Sequence, residues 1–441
     1  MRERPLSEAR AVLGLAGPLA VSELGTVGMA IIDTLMVGRL GGGALAALGY
    51  GSALQLVALG LLAGTLAGVT PLVARARGAG DGRAPAHLTT ANLWLAVLLS
   101  VPGVVALMFG GTLARWTGEP MLVSAGATTY LRALAPSVPA SLLFVAGRTA
   151  LDGIERPQSA SVIMVCGLVT NAVAAAVLIP RYGLVGAGLA TTIARSLMAA
   201  AMLYALTRAR LIAARAARGE SLPRVMLRIV RMGAPIGVHL ALELGVFAVA
   251  ATFAGWFGVA TLAAWQVAMN AVQTAFVLAL ALGSAGAIRL GHALGAGDAM
   301  RARLAIRASF RITFGVAALC GLVFAAAPAG VARLYTADAV VLTAATPMFV
   351  LAALFTVVDQ LQTCGVSLLY GAADTAAAAV IGLGGYWVVG LPLAWWFALG
   401  AGWGVSGLWV GLGTGMAMVF VVSAMRLHRC VPRASEGLAL A

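Results

Sequence analysis

Glu243 and Asp359 each stand well inside a long apolar run, and this placement makes them the first candidates for chemistry in the chain. A charge near the centre of a bilayer costs about 2.5–3.5 kcal/mol on insertion scales, so an acid there is functional by default. His239 precedes Glu243 by one helical turn and shares its face, so the pair could hold one proton or one cation between them. Removal from water disfavours the charged form of a carboxylate, which lets it take a proton and give it up when the site opens or a cation arrives. The alternative is a packing role, with Glu243 neutral or paired to His239 or an arginine. Asp359 belongs to a polar stripe at three- and four-residue spacing, Thr356, Asp359, Gln362 and Thr363. Its carboxylate, amide and hydroxyl oxygens suit a hard monovalent cation such as Na+, or an organic ammonium. Hydrogen bonding between helices is the competing use.

Asp33 follows Thr26 by seven residues on one face of the first apolar run, which Pro18 can kink. It lies nearer the outer end, where capping or solvation is the alternative. Glu23 falls off that face and has no assigned role. Asn171 and Thr191 offer neutral ligands close to Asp33, or simple contacts between helices. Gln266, Asn270 and Gln273 form a second polar stripe in the second half. Trp265, Phe144 and Met269 could wall a cavity for aromatic cations, or pack as core. Asp152, Glu155 and Asp374 read as interfacial. The histidines, His87, His239, His292 and His428, are too dispersed for a metal site, and the four cysteines have no metal spacing. No phosphate-binding loop is present. The expectation is a protein that is not an enzyme and needs no cofactor.

The elements that must position these residues are membrane helices. Hydrophobic residues make up 61% of the chain and charged residues 10%, against about a quarter charged in soluble domains. All 29 basic residues are arginine. They lie between apolar runs, where topology accounts for them, so no nucleic-acid partner is expected. Twelve runs of span length are readable, near 11–38, 44–74, 88–110, 121–146, 158–179, 184–206, 233–256, 261–288, 308–328, 341–369, 375–397 and 404–425. Without strand-like alternation they read as helices rather than a barrel. With the N-terminus inside, the inner segments carry 22 arginines and the outer loops 4, which predicts both termini in the cytoplasm. The N-terminus has no small-residue cleavage site after a short apolar run, so the first span is expected to be retained.

The chain also repeats itself. Gly78-Ala-Gly-Asp81 returns 217 residues later as Gly295-Ala-Gly-Asp298, and at that offset Pro18 falls on Pro235, Gly28 on Gly245, Gly38 on Gly255 and Gly41 on Gly258. A repeat of half the chain predicts two related lobes with a pathway between them. The expected division is 1–206 for the first six spans, 207–232 for an arginine-rich cytoplasmic connector broken by Gly219 and Pro223, and 233–441 for the last six spans and a short tail. An even number of spans per half gives both lobes one orientation, related by an axis along the membrane normal. The acids do not follow the repeat, since Asp33 maps to Ala250 and Glu243 maps back to Thr26.

Gly233-Ala-Pro235, Glu243-Leu-Gly-Val-Phe-Ala248, Ala264-Trp-Gln-Val-Ala-Met-Asn270 and Ile288-Arg-Leu-Gly-His-Ala-Leu-Gly295 together resemble the second-lobe signature of the multidrug and toxic compound extrusion (MATE) transporters, in their NorM-like bacterial branch. The first half agrees at Pro18, Ile32-Asp33-Thr34, Gly38, Asp152-Gly153, Pro157 and Val185-Gly-Ala-Gly-Leu-Ala-Thr191. The resemblance spans essentially the whole chain. It implies an all-α membrane protein whose two six-helix lobes form a V. It implies a secondary antiporter of the inner membrane that exports amphipathic organic cations, drugs and toxic compounds in exchange for H+ or Na+, with a role in antibiotic resistance. Glu243 and Asp359 match the second-lobe cation site, and Asp33 the first-lobe acid, with Asn171 and Thr191 beside it. Ala175 stands where some relatives carry a second polar residue, which weakens a first-lobe Na+ site, and Trp265 stands where some carry His. The partners expected are small organic cations and membrane lipids, with the chain acting as a monomer. A flippase for lipid-linked precursors would want a basic cavity, whereas the acids predominate among the charges read within the spans. A membrane scaffold without transport is the other alternative.

Overall fold

The computed structural model describes residues 5–116, 120–212 and 220–437. Arg2, Arg4, Arg215, Arg218 and Gly219, used in the orientation and connector readings, lie outside the described residues. The described chain is helical throughout. In order the helices are α1 (Pro5–Gly38), α2 (Gly42–Ala67), α3 (Val69–Gly78), α4 (Ala84–Trp116), α5 (Met121–Leu134), α6 (Ser137–Gly153), α7 (Gln158–Arg208) and α8 (Leu222–Gly255). They continue as α9 (Val259–Gly295), α10 (Ala299–Ala326), α11 (Pro328–Arg333), α12 (Ala339–Gly371), α13 (Thr375–Gly382), α14 (Leu391–Trp395) and α15 (Val405–Gly437). Two π-helical stretches, Leu383–Gly390 and Trp396–Gly400, flank α14.

Helices answer the demand that every backbone N–H and C=O in hydrocarbon be satisfied within its own segment. Ten helical segments among the described residues are long and apolar enough to cross a membrane, and the pair α5–α6, bent by 56°, makes an eleventh. The 51-residue α7 is interrupted at Gly183, where φ is 58° and ψ −131°, so it supplies two span-length pieces. Counted this way the segments agree with twelve spans.

The sequence repeat returns as repeated geometry. Gly41 and Gly258 have φ of 111° and 108°, and Gly80 and Gly297 have φ of 77° and 71°, each pair 217 residues apart. These are left-handed conformations that glycine adopts without a Cβ penalty. The aspartate after each Gly80 or Gly297 caps the next helix. Asp81 Oδ1 accepts from the N–H of Arg83 (2.9 Å) and Ala84 (3.0 Å), and Asp298 Oδ1 from the N–H of Arg301 (2.8 Å). The N–H of Ala84 and then that of Arg83 hold the Asp81 carboxyl below its ordinary range. The repeated turn is therefore a cap.

The chain divides into two compact units, Met1–Ala20 with Val238–Ala441, and Val21–Gly237. The sequence reading set its boundary in the connector at 207–232, while the contacts divide inside α1 and α8. The two division points are themselves 217 residues apart, two residues beyond Pro18 and Pro235. Each unit thus takes the first part of one half's leading helix together with the remainder of the other half.

Small residues make this possible. In the Val21–Gly237 unit, Gly64 of α2 and Gly68 at its C-terminal cap meet Gly233 and Gly237 of α8. A Cβ on Gly64 would lie 2.5 Å from Gly237 Cα, and one on Gly233 only 1.8 Å from the Thr65 carbonyl oxygen. In the other unit Ala16 and Ala20 of α1 pack in one cluster with Ala281 and Ala285 of α9. These four alanines are the 217-residue equivalents of the four glycines. Spacing of small residues by four brings membrane helices into backbone contact. Glu8 adds a polar anchor in the same unit. It is 1% exposed and accepts from Arg289 Nε (3.0 Å), Arg289 Nη2 (2.5 Å) and Arg301 Nε (2.8 Å).

Candidate functional site

Two helices and a π-helical turn build the second-half cluster. Glu243 and His239 come from α8, Asp359, Gln362 and Thr363 from α12, and Tyr386 from Leu383–Gly390. All are buried. Gln362 is the hub. Its Nε2 donates to Glu243 Oε1 (3.1 Å), Asp359 Oδ1 (3.4 Å) and Thr363 Oγ1 (3.1 Å), and its Oε1 accepts from the Tyr386 hydroxyl (2.8 Å). Thr363 Oγ1 donates to the Asp359 carbonyl (2.8 Å). His239 does not hydrogen-bond to Glu243, although they share a helix face. Its Nδ1 meets the Ala378 carbonyl (3.2 Å) and its Nε2 the Tyr386 hydroxyl (3.3 Å), so among the described residues its hydrogen-bonded route to Glu243 runs through Tyr386 and Gln362. Gly382 allows this placement, since a Cβ there would lie 2.5 Å from His239 Nδ1. Thr356 belongs to the same α12 stripe and is buried, but among the described residues its hydroxyl has no partner.

Counting protons gives this cluster its chemical character. The amide of Gln362 has two N–H bonds for three acceptors, two of them carboxylates. A neutral amide cannot balance two carboxylates, so the cluster requires protons or a cation from outside the protein. Tyr386 has one hydroxyl proton and two acceptors, Gln362 Oε1 and, when His239 Nδ1 donates to Ala378, His239 Nε2. One added proton completes the chain. Tyr386 escaped the sequence reading because tyrosine in an apolar run passes for packing. The signal available was Gly385 beside Tyr386, a glycine that lets this span approach its neighbour closely. A Cβ on Gly385 would lie 2.8 Å from the Gly415 carbonyl oxygen. Tyr386→Phe removes the link between His239 and Gln362 and leaves the ring packed. We expect it to shift the cluster's apparent affinity for a proton or cation about tenfold, as the loss of about 1.4 kcal/mol would, with Tm lowered only modestly because Gln362 Oε1 loses its donor. Ion-dependent tryptophan fluorescence of the purified protein measures this.

The first-half acid also has a cluster. Thr191 Oγ1 donates to Asp33 Oδ2 (3.0 Å), and Asn171 Nδ2 approaches Asp33 Oδ1 and Thr191 Oγ1, both at 3.4 Å. The break at Gly183 makes this possible, because it folds the two pieces of α7 so that Asn171 and Thr191 face the same carboxylate. Asn171 Oδ1 is buried without a partner. Ala175, one turn on, is fully buried and adds no ligand.

Other residues fall elsewhere. Gln266, Asn270 and Gln273 lie on an exposed face of α9, outside the Glu243 cluster, and Asn270 Nδ2 is spent on the Gln266 carbonyl at 2.8 Å. Trp265 and Met269 are core, with Trp265 packed on Trp409 at 4.8 Å between ring centroids. Phe144 lines a cavity of about 260 Å³ in the Val21–Gly237 unit with Met29, Met164 and Met198. Arg148 and Arg195 line it too. Arg148 follows the fourth apolar run, 121–146, yet it lies within α6. It pairs with Glu23 and sits 3.6 Å from the buried Asp152, which gives Glu23 a partner. Arg195 donates to Ser141 Oγ at 2.9 Å. Asp374 pairs with Arg426 at 2.5 and 3.2 Å. Among the described residues no three His, Cys, Asp or Glu side chains gather as a metal site.

A bundle of membrane helices that buries acids in separate clusters is the kind of arrangement membrane transporters use. The MatE family profile matches residues 18–177 and 235–396, and the chain belongs to that family. It is 34% identical over 431 residues to the probable multidrug resistance protein NorM of Burkholderia pseudomallei (strain K96243), covering 94% of this chain and 91% of the relative. The multidrug resistance protein NorM of Burkholderia vietnamiensis is likewise 34% identical, over 94% of this chain and 92% of its own. Among solved structures, the Vibrio cholerae MATE transporter VcmN in the bent form superposes with a TM-score of 0.89 at 20% identity, covering 98% of both chains. An outward-facing multidrug resistance MATE family transporter gives 0.90 at 20% identity over 97% of both. At that identity the structures speak for the fold.

Proposed function

We propose that this protein is a secondary antiporter of the bacterial inner membrane that exports amphipathic organic cations in exchange for H+ or Na+. The observation that carries this reading is the pair Glu243 and Asp359 sharing the single neutral donor Gln362. Acids so placed take up an external cation in one state of the transporter and yield it in another, and this difference in affinity couples the two fluxes. Two relatives at 34% identity carry the name multidrug resistance protein, in line with exported drugs. The proton-short chain through Tyr386 and His239 favours H+ as the coupling ion. Gln362 Nε2, not an oxygen, faces both acids, which suits Na+ less well.

On this reading the duplicated halves are 1–206 and 233–441, joined by 207–232, both termini are cytoplasmic, and one chain suffices for transport. Asp33 with Asn171 and Thr191 forms a second acid site in the first half. Gln266, Asn270 and Gln273 offer polar contacts to substrate from the exposed face of α9. The two arginines of the Phe144 cavity answer part of what a flippase for lipid-linked precursors would need. Arg148, however, is already neutralised by Glu23, so the acidic cluster remains the better guide.

The test is efflux of a fluorescent organic cation from proteoliposomes under separately imposed pH and Na+ gradients. We expect an inward proton gradient to drive export and a Na+ gradient alone to drive less. Absence of transport under both gradients would overturn the antiport reading.

A further inference from the structure

A second site, unrelated to the acids, lies between the first turns of α10 and the C-terminal half of α15. Arg303 and Arg307 of α10 and His428 of α15 line a cavity of about 220 Å³ whose remaining walls are Ile306, Phe310 and Leu427 with Ala424. Arg303 and Arg307 are one turn apart, as are Ala424 and His428, so two helix faces are set against each other. All three polar side chains are bases. Both arginines and His428 are exposed, and among the described residues no carboxylate pairs with any of them. The apolar wall continues away from the helix ends, with Phe310 edge-on to Phe420 at 5.7 Å. The volume is below the roughly 300–1,000 Å³ of drug-sized pockets, so it does not suit the exported substrate. It equals about seven water volumes, enough for a phosphodiester head. Asp298 caps the start of α10, so Arg303 and Arg307 stand about one to two turns inside that end, near headgroup depth.

We propose that this pocket binds the headgroup of an anionic phospholipid, with the phosphodiester between Arg303, Arg307 and His428 and an acyl chain along Ile306, Phe310 and Leu427. Guanidinium groups pair two N–H bonds with phosphate oxygens, and basic pockets between membrane helices suit acidic headgroups. The convergence of bases at one mouth and an apolar wall behind it selects a lipid over a free anion. The leaflet is the cytoplasmic one on the orientation proposed above, but the site itself does not depend on the antiport reading.

Native mass spectrometry of the purified full chain tests it, with phosphatidylglycerol against phosphatidylcholine of matched acyl chains, and inorganic phosphate as the free anion. We expect phosphatidylglycerol to bind at least about tenfold more tightly than phosphatidylcholine, and phosphate at millimolar concentration not to displace it. The triple variant Arg303→Gln, Arg307→Gln, His428→Gln should lose that preference, while Arg303→Lys with Arg307→Lys should retain it and report on folding. Gln substitution at Arg115 and Arg333 controls for net charge and should leave the preference intact. Equal binding of the two lipids by the wild type, retention of the preference by the triple variant, loss of it in the Arg115 and Arg333 control, or displacement by phosphate would overturn the assignment.

Discussion

Replacing Glu243 by Gln and Asp359 by Asn together should reduce gradient-driven efflux by at least about 100-fold, to the level of protein-free vesicles. That loss corresponds to about 2.7 kcal/mol of differential stabilisation. The amides keep the volume of the side chains and can still hydrogen-bond, so the variant should insert and elute as the wild type does. What it cannot do is bind a proton or attract a cation, and on the antiport proposed above it is this change of charge state that would tie ion flux to substrate flux. Each single variant leaves one acid against Gln362 and should retain partial transport with a weaker response to the gradient. Full transport by the double variant in proteoliposomes would remove these acids from the mechanism.

The second large effect is structural. Gly233→Val should prevent stable folding, seen as loss of the monodisperse peak in detergent and a sharply lowered Tm. A Cβ at this position would stand 1.8 Å from the Thr65 carbonyl oxygen, and that atom is backbone with no rotamer to yield. Overpacking typically costs about 1–3 kcal/mol where side chains adjust, and here two helix backbones must separate instead. Gly14→Ala is the control, because nothing lies within 4 Å of a Cβ there. A Gly233→Val protein with wild-type Tm would show that the α2–α8 crossing is not what holds this unit together.

The placement of acids, the span pattern and the repeat were legible in the sequence because each depends on local chemistry. An acid in an apolar run is costly wherever the helix packs, and a left-handed turn needs glycine whatever surrounds it. The pairing of acids with partners was less legible. Asp33, Asn171 and Thr191 are separated by 138 and 20 residues along the chain, and what joins them is the break at Gly183. Likewise helix periodicity put His239 beside Glu243, but periodicity describes one helix and is silent on what a neighbouring helix inserts. Tyr386 and Gln362 came between them. Arg148 fell outside the fourth run because apolar runs mark where helices are greasy, not where they end, and α6 continues past its apolar run to Gly153.

By itself the sequence determined that this is a duplicated, twelve-run membrane chain with acids at non-equivalent positions in its two halves. Hydrophobicity, residue type and spacing are properties of the chain before it folds. Only the tertiary structure decided that the compact units exchange the first parts of α1 and α8, that glycines in one unit and alanines in the other make the exchange possible, and that one glutamine serves two carboxylates. Those outcomes depend on which helix faces meet, and that is settled by the approach distance small residues allow.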